Sequence, residues 1–260
     1  MIKIFKYTFY NLLRSWWIFI YLAFFLISTS ALLYFSPSME KAIVSIMNIE
    51  MAIIPLMSML FGSMYFYNTK EFTELLLSQP VKRSSIFAGQ YLGLSLSLAM
   101  SYAPGIFIPF LFYGLILNSE IWNFLVLLYT GVALTFIFVA VAYLIAIKIT
   151  NKIKGFGLAI LFWLFFAVIY DGIILLIMAL FYDYPLEHAS LILTLLNPVD
   201  LARILILLKL DISALMGFTG ALFNKFFGSV QGMLISGLML ILWFSIPYYL
   251  YQRKAKTKDF

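Results

Sequence analysis

The sequence contains no cysteine and a single histidine, His188. The missing thiols exclude disulfides, thiolate metal sites, iron–sulfur ligation and a cysteine nucleophile. A lone histidine cannot form a histidine cluster, and the chain contains no H-E-x-x-H, Ser/His/Asp set, Walker A sequence or dinucleotide-binding glycine pattern. We therefore expect a non-catalytic chain that binds no metal and no cofactor of its own.

Charge is also scarce. Charged residues make up 11% of the chain and hydrophobic residues 64%, with a mean hydropathy of +1.03, whereas a soluble domain carries about 25% charged residues. A bilayer suits such a surface, and each crossing helix needs about 20 apolar residues. The 260 residues leave room for six crossings and for no soluble domain. The composition therefore predicts an all-α membrane protein, with one transmembrane domain over 1–260 and no nucleotide-binding domain of its own.

Hydrophobic runs divide the chain into six predicted transmembrane helices. They cover about 17–35, 45–67, 85–117, 121–147, 155–182 and 230–251, and the third is expected to be kinked or broken near Pro104 and Pro109. Residues 1–16 place apolar and basic residues on opposite helical faces, which is typical of an interfacial helix in the headgroup layer. Spans one to five occupy 17–182. An outer or periplasmic segment over 183–229 follows them and precedes span six. A tail covers 252–260.

Basic residues are distributed unevenly around these predicted spans. Six crossings place both termini on one side, and 13 of the 17 Lys and Arg residues then lie on that side. Cytoplasmic loops carry such an excess, so we predict a multi-pass protein of the bacterial inner (cytoplasmic) membrane with both termini cytoplasmic. Because the cations cluster at the ends of apolar runs, we interpret the net charge of +6 as topological and expect no nucleic acid partner.

A short polar stretch, 68–85, separates the second and third spans. Asn68 and Glu71 are spaced for a capping box, and Pro80 lacks the N–H that would continue a helix. We predict an amphipathic helix over 70–79 on the inner membrane face, with Phe72, Leu75 and Leu76 on one apolar face. The alternative is an ordinary charged loop. The residues that define the stretch are Glu71, Phe72, Glu74, Leu75, Pro80, Lys82 and Arg83.

The third span carries a small residue at every fourth position. In a helix such residues form one stripe, which lets another backbone approach closely. The alternative is that the glycines are merely tolerated, but five small residues at this regular spacing favour helix packing. The stripe consists of Gly89, Gly93, Ser97, Ser101 and Gly105, and Gly228 and Gly232 repeat the spacing near the last span.

The outer segment contains a second helix-start pattern. Asn197 suits an N-cap, Pro198 the first helical position and Asp200 the third, and Asp200 and Arg203 are spaced for a pair on one helix face. We predict one or two helices over 185–229 that lie in or dip into the outer leaflet. Two interpretations stay open: a platform or gate for an outer partner, or a loop that only covers the helix ends.

Asp171 is an ionisable residue well inside the fifth span. Such a group is costly in a membrane and indicates a pathway or a partner. Asp171 is therefore a candidate pathway residue, and the alternatives are protonation or a hydrogen bond to a hydroxyl on another helix. Glu50, near the outer end of the second span, is expected to be interfacial. The five methionines of the second span do not form one face, so we expect no copper site there.

Without a site for chemistry, two classes of function remain. The first is a half-transporter driven by a separate ATPase, which would seat on the helix 70–79 and rock the spans. The second is a proton-coupled secondary carrier or channel that uses Asp171. Carriers usually show an internal repeat, and this sequence has no convincing one. A membrane scaffold without transport would leave the capped polar helix unexplained.

The polar stretch resembles the coupling-helix signature of ABC-2 type transporter permeases. The resemblance rests on residues 71–83, EFTELLLSQPVKR, followed by GQY at 89–91, and the predicted spans extend it over essentially the whole chain. Phe72 stands where these permeases usually have glycine, and Gln90 where lysine is common. The resemblance implies a permease subunit whose partner ABC ATPase binds ATP and Mg, with Glu71, Glu74 and Pro80 matching the coupling helix.

Within that family, the outer run 195–205, LLNPVDLARIL, is most similar to the NosY-type permeases of nitrous oxide reductase maturation. Asn197, Pro198, Asp200 and Arg203 match the motif. This resemblance implies a homodimer that works with two NosF-type ATPase subunits and a NosD-type periplasmic β-helical protein in assembling the enzyme's copper–sulfur centre. It leaves open whether a sulfur species is moved or force is transmitted. The alternative is a generic ABC-2 exporter of a lipid, drug or other small molecule.

Overall fold

The computed structural model describes residues 1–115, 120–181, 187–209 and 230–258. All regular secondary structure within these ranges is helical, as predicted. The helices are α1 (Ile2–Leu13), α2 (Trp16–Phe35), α3 (Met39–Asn68), α4 (Lys70–Leu77), α5 (Arg83–Phe112), α6 (Ile121–Lys148), α7 (Lys152–Leu164), α8 (Tyr170–Leu180), α9 (Glu187–Leu195), α10 (Pro198–Lys209) and α11 (Val230–Thr257). A π-helical turn, Phe165–Ile169, joins α7 to α8.

Five helical runs in the described part of the chain are long and apolar enough to cross a membrane: α2, α3, α5, α6 and the continuous run Lys152–Leu180. The pair α9 and α10 is together long and apolar enough, but it bends by 109°. We call this bend the elbow. The helix α11 covers the predicted sixth span, 230–251. The count of six crossings and the interfacial position of α1 stay predictions, and Gly228 lies outside the described residues.

Contacts between distant parts of the chain place both termini at the same end of the bundle as α4. At the C-terminal end of α11, the Tyr251 hydroxyl donates to the Phe87 carbonyl over 3.4 Å, and Arg83 Nη1 donates to the Lys258 carbonyl over 3.1 Å. The helix α1 packs along the first half of α5, near Gly89. The short polar helix and both chain ends therefore share one end of the molecule.

A break in α5 and a helix cap by Asn68 are not found. The helix α5 is not broken at Pro104 or Pro109, since both lie inside one continuous helix; neighbouring helices satisfy the freed backbone groups in such spans. A kink at these prolines stays a prediction. Asn68 does not cap the short polar helix, because α3 continues through it and Thr69 is the N-cap of α4, without a side-chain cap bond. The Asn68 side chain instead accepts a hydrogen bond from Lys152 Nζ over 2.9 Å.

The centre of the bundle lies between α3 and α6. A Cβ atom on Gly62 would lie 2.6 Å from the Ala142 Cβ, and one on Gly131 would lie 2.1 Å from the Tyr102 hydroxyl. Small residues therefore allow α3 and α6 to touch and make room for a tyrosine of α5.

Candidate coupling helix and elbow cluster

The short helix α4 is held to the long helix α5 by a buried hydrogen bond. Gln90 Nε2 of α5 donates to Thr73 Oγ1 over 2.8 Å, and Thr73 Oγ1 donates in turn to the Thr69 carbonyl over 2.8 Å. Thr73 is only 3% exposed and Gln90 only 2%. Any displacement of α4 must therefore break this bond or carry α5 along. Sequence reasoning missed Thr73, and it noticed Gln90 only as a departure from the family pattern.

The opposite side of α4 is open to solvent. Leu75 is 67% exposed, and the neighbouring Glu71 and Ser78 are exposed as well. The predicted apolar face of Phe72, Leu75 and Leu76 is divided in the structure. Phe72 stacks on Tyr7 of α1, with ring centroids 5.1 Å apart, and Leu75 faces outward. The exposed side of α4 thus consists of one leucine between polar residues.

The remaining residues of the predicted coupling stretch frame this surface. Glu74 pairs with Lys70 one turn earlier, at 3.4 Å. The helix α4 ends at Leu77, before Pro80, and Pro80 and Lys82 are exposed. Arg83 begins α5 and bonds to the C-terminal tail. The stretch is thus a short helix, a tight connection and the start of a long span.

The predicted small-residue stripe of α5 lies against α1 and α2. A Cβ atom on Gly93 would lie 2.6 Å from the Thr8 side chain, and one on Gly89 would lie 3.1 Å from Ile4. Ser101 Oγ donates to the Ile18 carbonyl over 2.8 Å. Gly105 faces α2, because a Cβ there would lie 2.9 Å from Phe25. Between Gly93 and Ser101, Ser97 continues the stripe and donates to the Gly93 carbonyl over 2.7 Å.

A second polar site lies at the elbow between α9 and α10. We define the elbow cluster as Asp171, Asn197, Asp200 and Arg203. Arg203 Nη1 lies 2.8 Å from Asp171 Oδ2 and 3.1 Å from Asp200 Oδ1, so one guanidinium bridges two carboxylates. The spacing of Asp200 and Arg203 suggested their pair, but no sequence signal placed a cation beside Asp171. The structure therefore joins the candidate pathway residue and the outer motif into a single site.

Asn197 connects the elbow to the π-helical turn. In that turn the Tyr170 N–H bonds to the Phe165 carbonyl, five residues back, so the Phe166 carbonyl loses its usual helical donor. Asn197 Nδ2 donates to this carbonyl over 2.9 Å and to Asp200 Oδ2 over 2.8 Å. A π-helical turn has no simple sequence pattern, so this contact could not have been predicted.

The same asparagine also begins α10, as predicted. Its Oδ1 accepts from the Val199 N–H over 3.0 Å, which is an N-cap bond, and Pro198 occupies the first helical position. Asn197 and Asp200 are buried. They hold the elbow in place and do not themselves present a surface to a partner.

Two further hydrogen bonds fix the end of α9 from neighbouring helices. The Tyr170 hydroxyl of α8 donates to the Leu193 carbonyl over 2.7 Å, and Trp243 Nε1 of α11 donates to the Leu195 carbonyl over 3.3 Å. The helix α10 packs against α3, α6 and α11, with Leu201 and Ile206 fully buried. The segment 187–209 is therefore part of the bundle and not only a cover over the helix ends.

Glu50 was expected at an interface, and this is wrong. The side chain is fully buried in α3, and the Tyr102 hydroxyl of α5 donates to Glu50 Oε1 over 2.7 Å. The other carboxyl oxygen has no hydrogen-bond partner among the described residues. The burial of Glu50 could not be predicted from its sequence position, because its hydrogen-bond partner comes from a different helix.

The described residues contain no group of three or more His, Cys, Asp or Glu side chains that could hold a metal ion. The elbow cluster offers two carboxylates, and both already contact Arg203. Neither site combines a nucleophile with a general base. The described residues thus place a short, partly exposed helix at one end of a helical bundle and a polar joint within it.

The described residues form a bundle of long apolar helices with a short polar helix at one end. The sequence matches the family described as "ABC-2 family transporter protein" over residues 2–255. The chain belongs to this family and is a permease subunit of an ABC transporter.

A named relative is the "Probable ABC transporter permease protein NosY" of Stutzerimonas stutzeri, which is 29% identical over 179 residues. The match covers 65% of this chain and spans 60% of the length of that relative.

Proposed function

We propose that this permease couples ATP hydrolysis in a separate ABC ATPase to movement at the far end of its helical bundle. The observation that carries the proposal is α4, which exposes one face and is pinned to α5 on the other by the Gln90–Thr73 bond. The ATPase binds ATP and Mg, and this chain binds no cofactor. Both termini lie in the cytoplasm, and the bundle crosses the bacterial inner membrane.

The exposed face of α4 is the docking site of the ATPase. Leu75 enters an apolar groove, and the carboxylates of Glu71 and Glu74 meet basic groups at its rim. Short amphipathic helices commonly bind partner grooves in this way. The basic residues Lys82 and Arg83 lie at the edge of the same surface.

Movement of α4 is transmitted along two routes. The Gln90–Thr73 bond connects it to α5, and the stacking of Phe72 on Tyr7 connects it to α1. The small-residue stripe packs α5 closely against α1 and α2, so these three helices move as one body. Closure of the nucleotide sites would thus rock this body against α3 and α6.

The elbow cluster is the outer end of the coupling path. It ties α10 to α8 through Arg203 and Asp171, and to the π-helical turn through Asn197. A shift of the fifth span therefore changes the angle of the elbow. The exposed residues Ile192 and Leu196 of the elbow form the apolar surface for an outer partner. Asp200→Ala or Arg203→Ala is expected to weaken attachment of that partner.

We propose that the specific role of this transporter is in the maturation of nitrous oxide reductase. It is supported by the outer run LLNPVDLARIL and by the similarity to the NosY permease. In this role two copies of the chain work with two NosF-type ATPase subunits and a NosD-type periplasmic β-helical protein to assemble the copper–sulfur centre. The second copy packs on the fifth span, Lys152–Leu180, in which only Gly155 and Ala159 are buried within one chain.

Complementation tests this role. The chain is expressed in a denitrifying bacterium that lacks its own maturation permease, and purified nitrous oxide reductase is analysed for the visible absorption of its copper–sulfur centre. We expect the absorption to return. A chain that inserts in the membrane and binds the host ATPase but restores no absorption would contradict the maturation role and favour a generic ABC-2 exporter.

A further inference from the structure

A cavity of about 440 Å³ lies at the end of the bundle that carries both termini. Its walls are the end of α1, the start of α2 and the end of α3, and Leu94 of α5 also contributes. Its lining combines apolar and polar side chains. We call Ile18, Phe61 and Met64 the apolar side of the cavity, and Asn11, Arg14, Ser15 and Asn68 its polar side. Arg14 is the one charged side chain among the described residues that line the cavity.

The polar side offers donors and no charged acceptor. Arg14 is exposed and forms no ion pair with any residue in the described part of the chain. Ser15 is the N-cap of α2, but its side chain makes no cap hydrogen bond, so the first-turn N–H groups of α2 lack that acceptor. The N-terminus of a helix carries a partial positive charge and readily binds anions.

Three oxygen acceptors at the cavity already accept hydrogen bonds. The Ser15 N–H donates to the Leu12 carbonyl over 2.8 Å at the end of α1. The Tyr65 carbonyl at the end of α3 accepts from both the N–H and the hydroxyl of Thr69. The Asn68 side-chain oxygen accepts from Lys152. These three acceptors are therefore less available to oppose an anion beside Arg14.

We propose that this cavity binds one anionic phospholipid. The phosphate lies between Arg14 and the first turn of α2, and the upper part of an acyl chain lies along Phe61, Met64 and Leu94. Arginine forms two-pronged hydrogen bonds with phosphate, and Trp17, also at the cavity, belongs to a residue type that favours the headgroup level. A soluble phosphate would leave the apolar side of the cavity uncovered, which favours the lipid.

The bound lipid connects three parts of the coupling machinery. It contacts the joint between α1 and α2, the end of α3 and Thr69, which is the N-cap of α4. In the proposed orientation it belongs to the cytoplasmic leaflet, where anionic lipids concentrate. The proposal depends on the proposed function only for this choice of leaflet.

Native mass spectrometry of the full chain in detergent tests the proposal, with phosphatidylglycerol and phosphatidylcholine as separate probes. We expect one phosphatidylglycerol per chain, and about tenfold weaker binding of it by Arg14→Gln, since a charge-assisted hydrogen bond is lost. Met64→Trp keeps the charge but fills the apolar side, and it is expected to weaken binding as well. Lys3→Gln removes an exposed charge of α1 away from the cavity and is expected to bind like the wild type.

Three outcomes would overturn the proposal. Equal binding of the two lipids would show that the charge does not matter, and unchanged binding by Arg14→Gln would place the lipid elsewhere. Displacement of the lipid by millimolar inorganic phosphate would indicate a site for a free anion. Thermal unfolding of each variant in the same detergent shows that it is folded. ATPase pull-down is measured in parallel, so failure of the lipid site is distinguished from failure of the proposed function.

Discussion

Arg203 and Asp171 form an ion pair of 2.8 Å although they lie on different helices, one after the elbow and one in the fifth span. The pair accounts for an ionisable residue inside an apolar span without requiring a proton pathway. Because Arg203 also contacts Asp200 at 3.1 Å, one cation holds two acidic side chains together. The elbow is thus locked to the span that precedes it.

Arg203→Ala should destabilise the protein more than Asp171→Asn. Removing the arginine leaves two carboxylates side by side without a cation, whereas Asp171→Asn keeps the Arg203–Asp200 pair. Breaking a buried pair costs about 3–5 kcal/mol. Because the Arg203 and Asp171 side chains are 29% and 34% exposed, we expect Arg203→Ala to lower the free energy of unfolding by about 2 kcal/mol. Thermal unfolding in detergent measures the difference, and equal stability of the two variants would show that the cation is not the centre of the cluster.

Gln90 and Thr73 should be energetically coupled. Gln90→Leu leaves the Thr73 hydroxyl without its donor, and Thr73→Val leaves the Gln90 amide without its acceptor, so each single change should cost about 1–3 kcal/mol. The double variant should cost less than the sum of the two. Additive losses in unfolding measurements would mean that the hydrogen bond does not join α4 to α5.

The Gln90–Thr73 hydrogen bond should be needed for coupling but not for binding of the ATPase. We expect Gln90→Leu to retain the ATPase in a pull-down, since the exposed face of α4 is unchanged. The ATP hydrolysis rate of the reconstituted complex should no longer respond to the outer partner. A Gln90→Leu complex with the wild-type response would contradict transmission through this bond.

Glu74→Lys should abolish binding of the ATPase with the fold intact. The change places a cation where the docking surface presents a carboxylate. Lys70→Ala is the matched control, because it removes the Lys70–Glu74 pair but keeps Glu74. The expected result is loss of the ATPase from Glu74→Lys alone in a co-purification. Unchanged co-purification by Glu74→Lys would rule out this docking site.

Gly93→Ala should destabilise the bundle, and Gly157→Ala should not. A Cβ on Gly93 would lie 2.6 Å from the Thr8 side chain and 3.2 Å from the Phe5 carbonyl, whereas a Cβ on Gly157 meets no atom within 4 Å. In open space the change from glycine to alanine stabilises a helix by about 0.5–1 kcal/mol. Opposite shifts of the unfolding temperature are therefore expected, and equal shifts would mean that α1 does not pack closely on the stripe.

Much of the fold could be predicted because it depends on local sequence. Long apolar runs define the helices, and Asn197 followed by Pro198 marks the start of α10. The pair Asp200 and Arg203 follows from helical spacing alone. Failures occur where a partner comes from another helix. Asp171 lies 32 positions from Arg203, and Glu50 lies 52 positions from Tyr102.

The short helix α4 also shows that contacts with other helices could not be predicted from local sequence. Its existence followed from the charges and from Pro80, but its orientation did not. Periodicity grouped Phe72 with Leu75, whereas the structure directs Phe72 to Tyr7 and exposes Leu75. The contact that attaches α4 to α5 is that between Thr73 and Gln90. It could not be predicted, because hydrophobic periodicity does not indicate a polar pair buried between two helices.

Co-purification from the native membrane in mild detergent, with mass spectrometry of the proteins retained, tests whether this permease is coupled to a separate ATPase. We expect to recover an ABC ATPase bound through α4 together with a β-helical periplasmic protein bound at the elbow. Recovery of an ATPase alone would support ATPase binding at α4 but contradict the proposed partner surface at the elbow. Recovery of the folded permease with neither protein would contradict coupling to a separate ATPase, and it would favour a carrier in which Asp171 takes part directly.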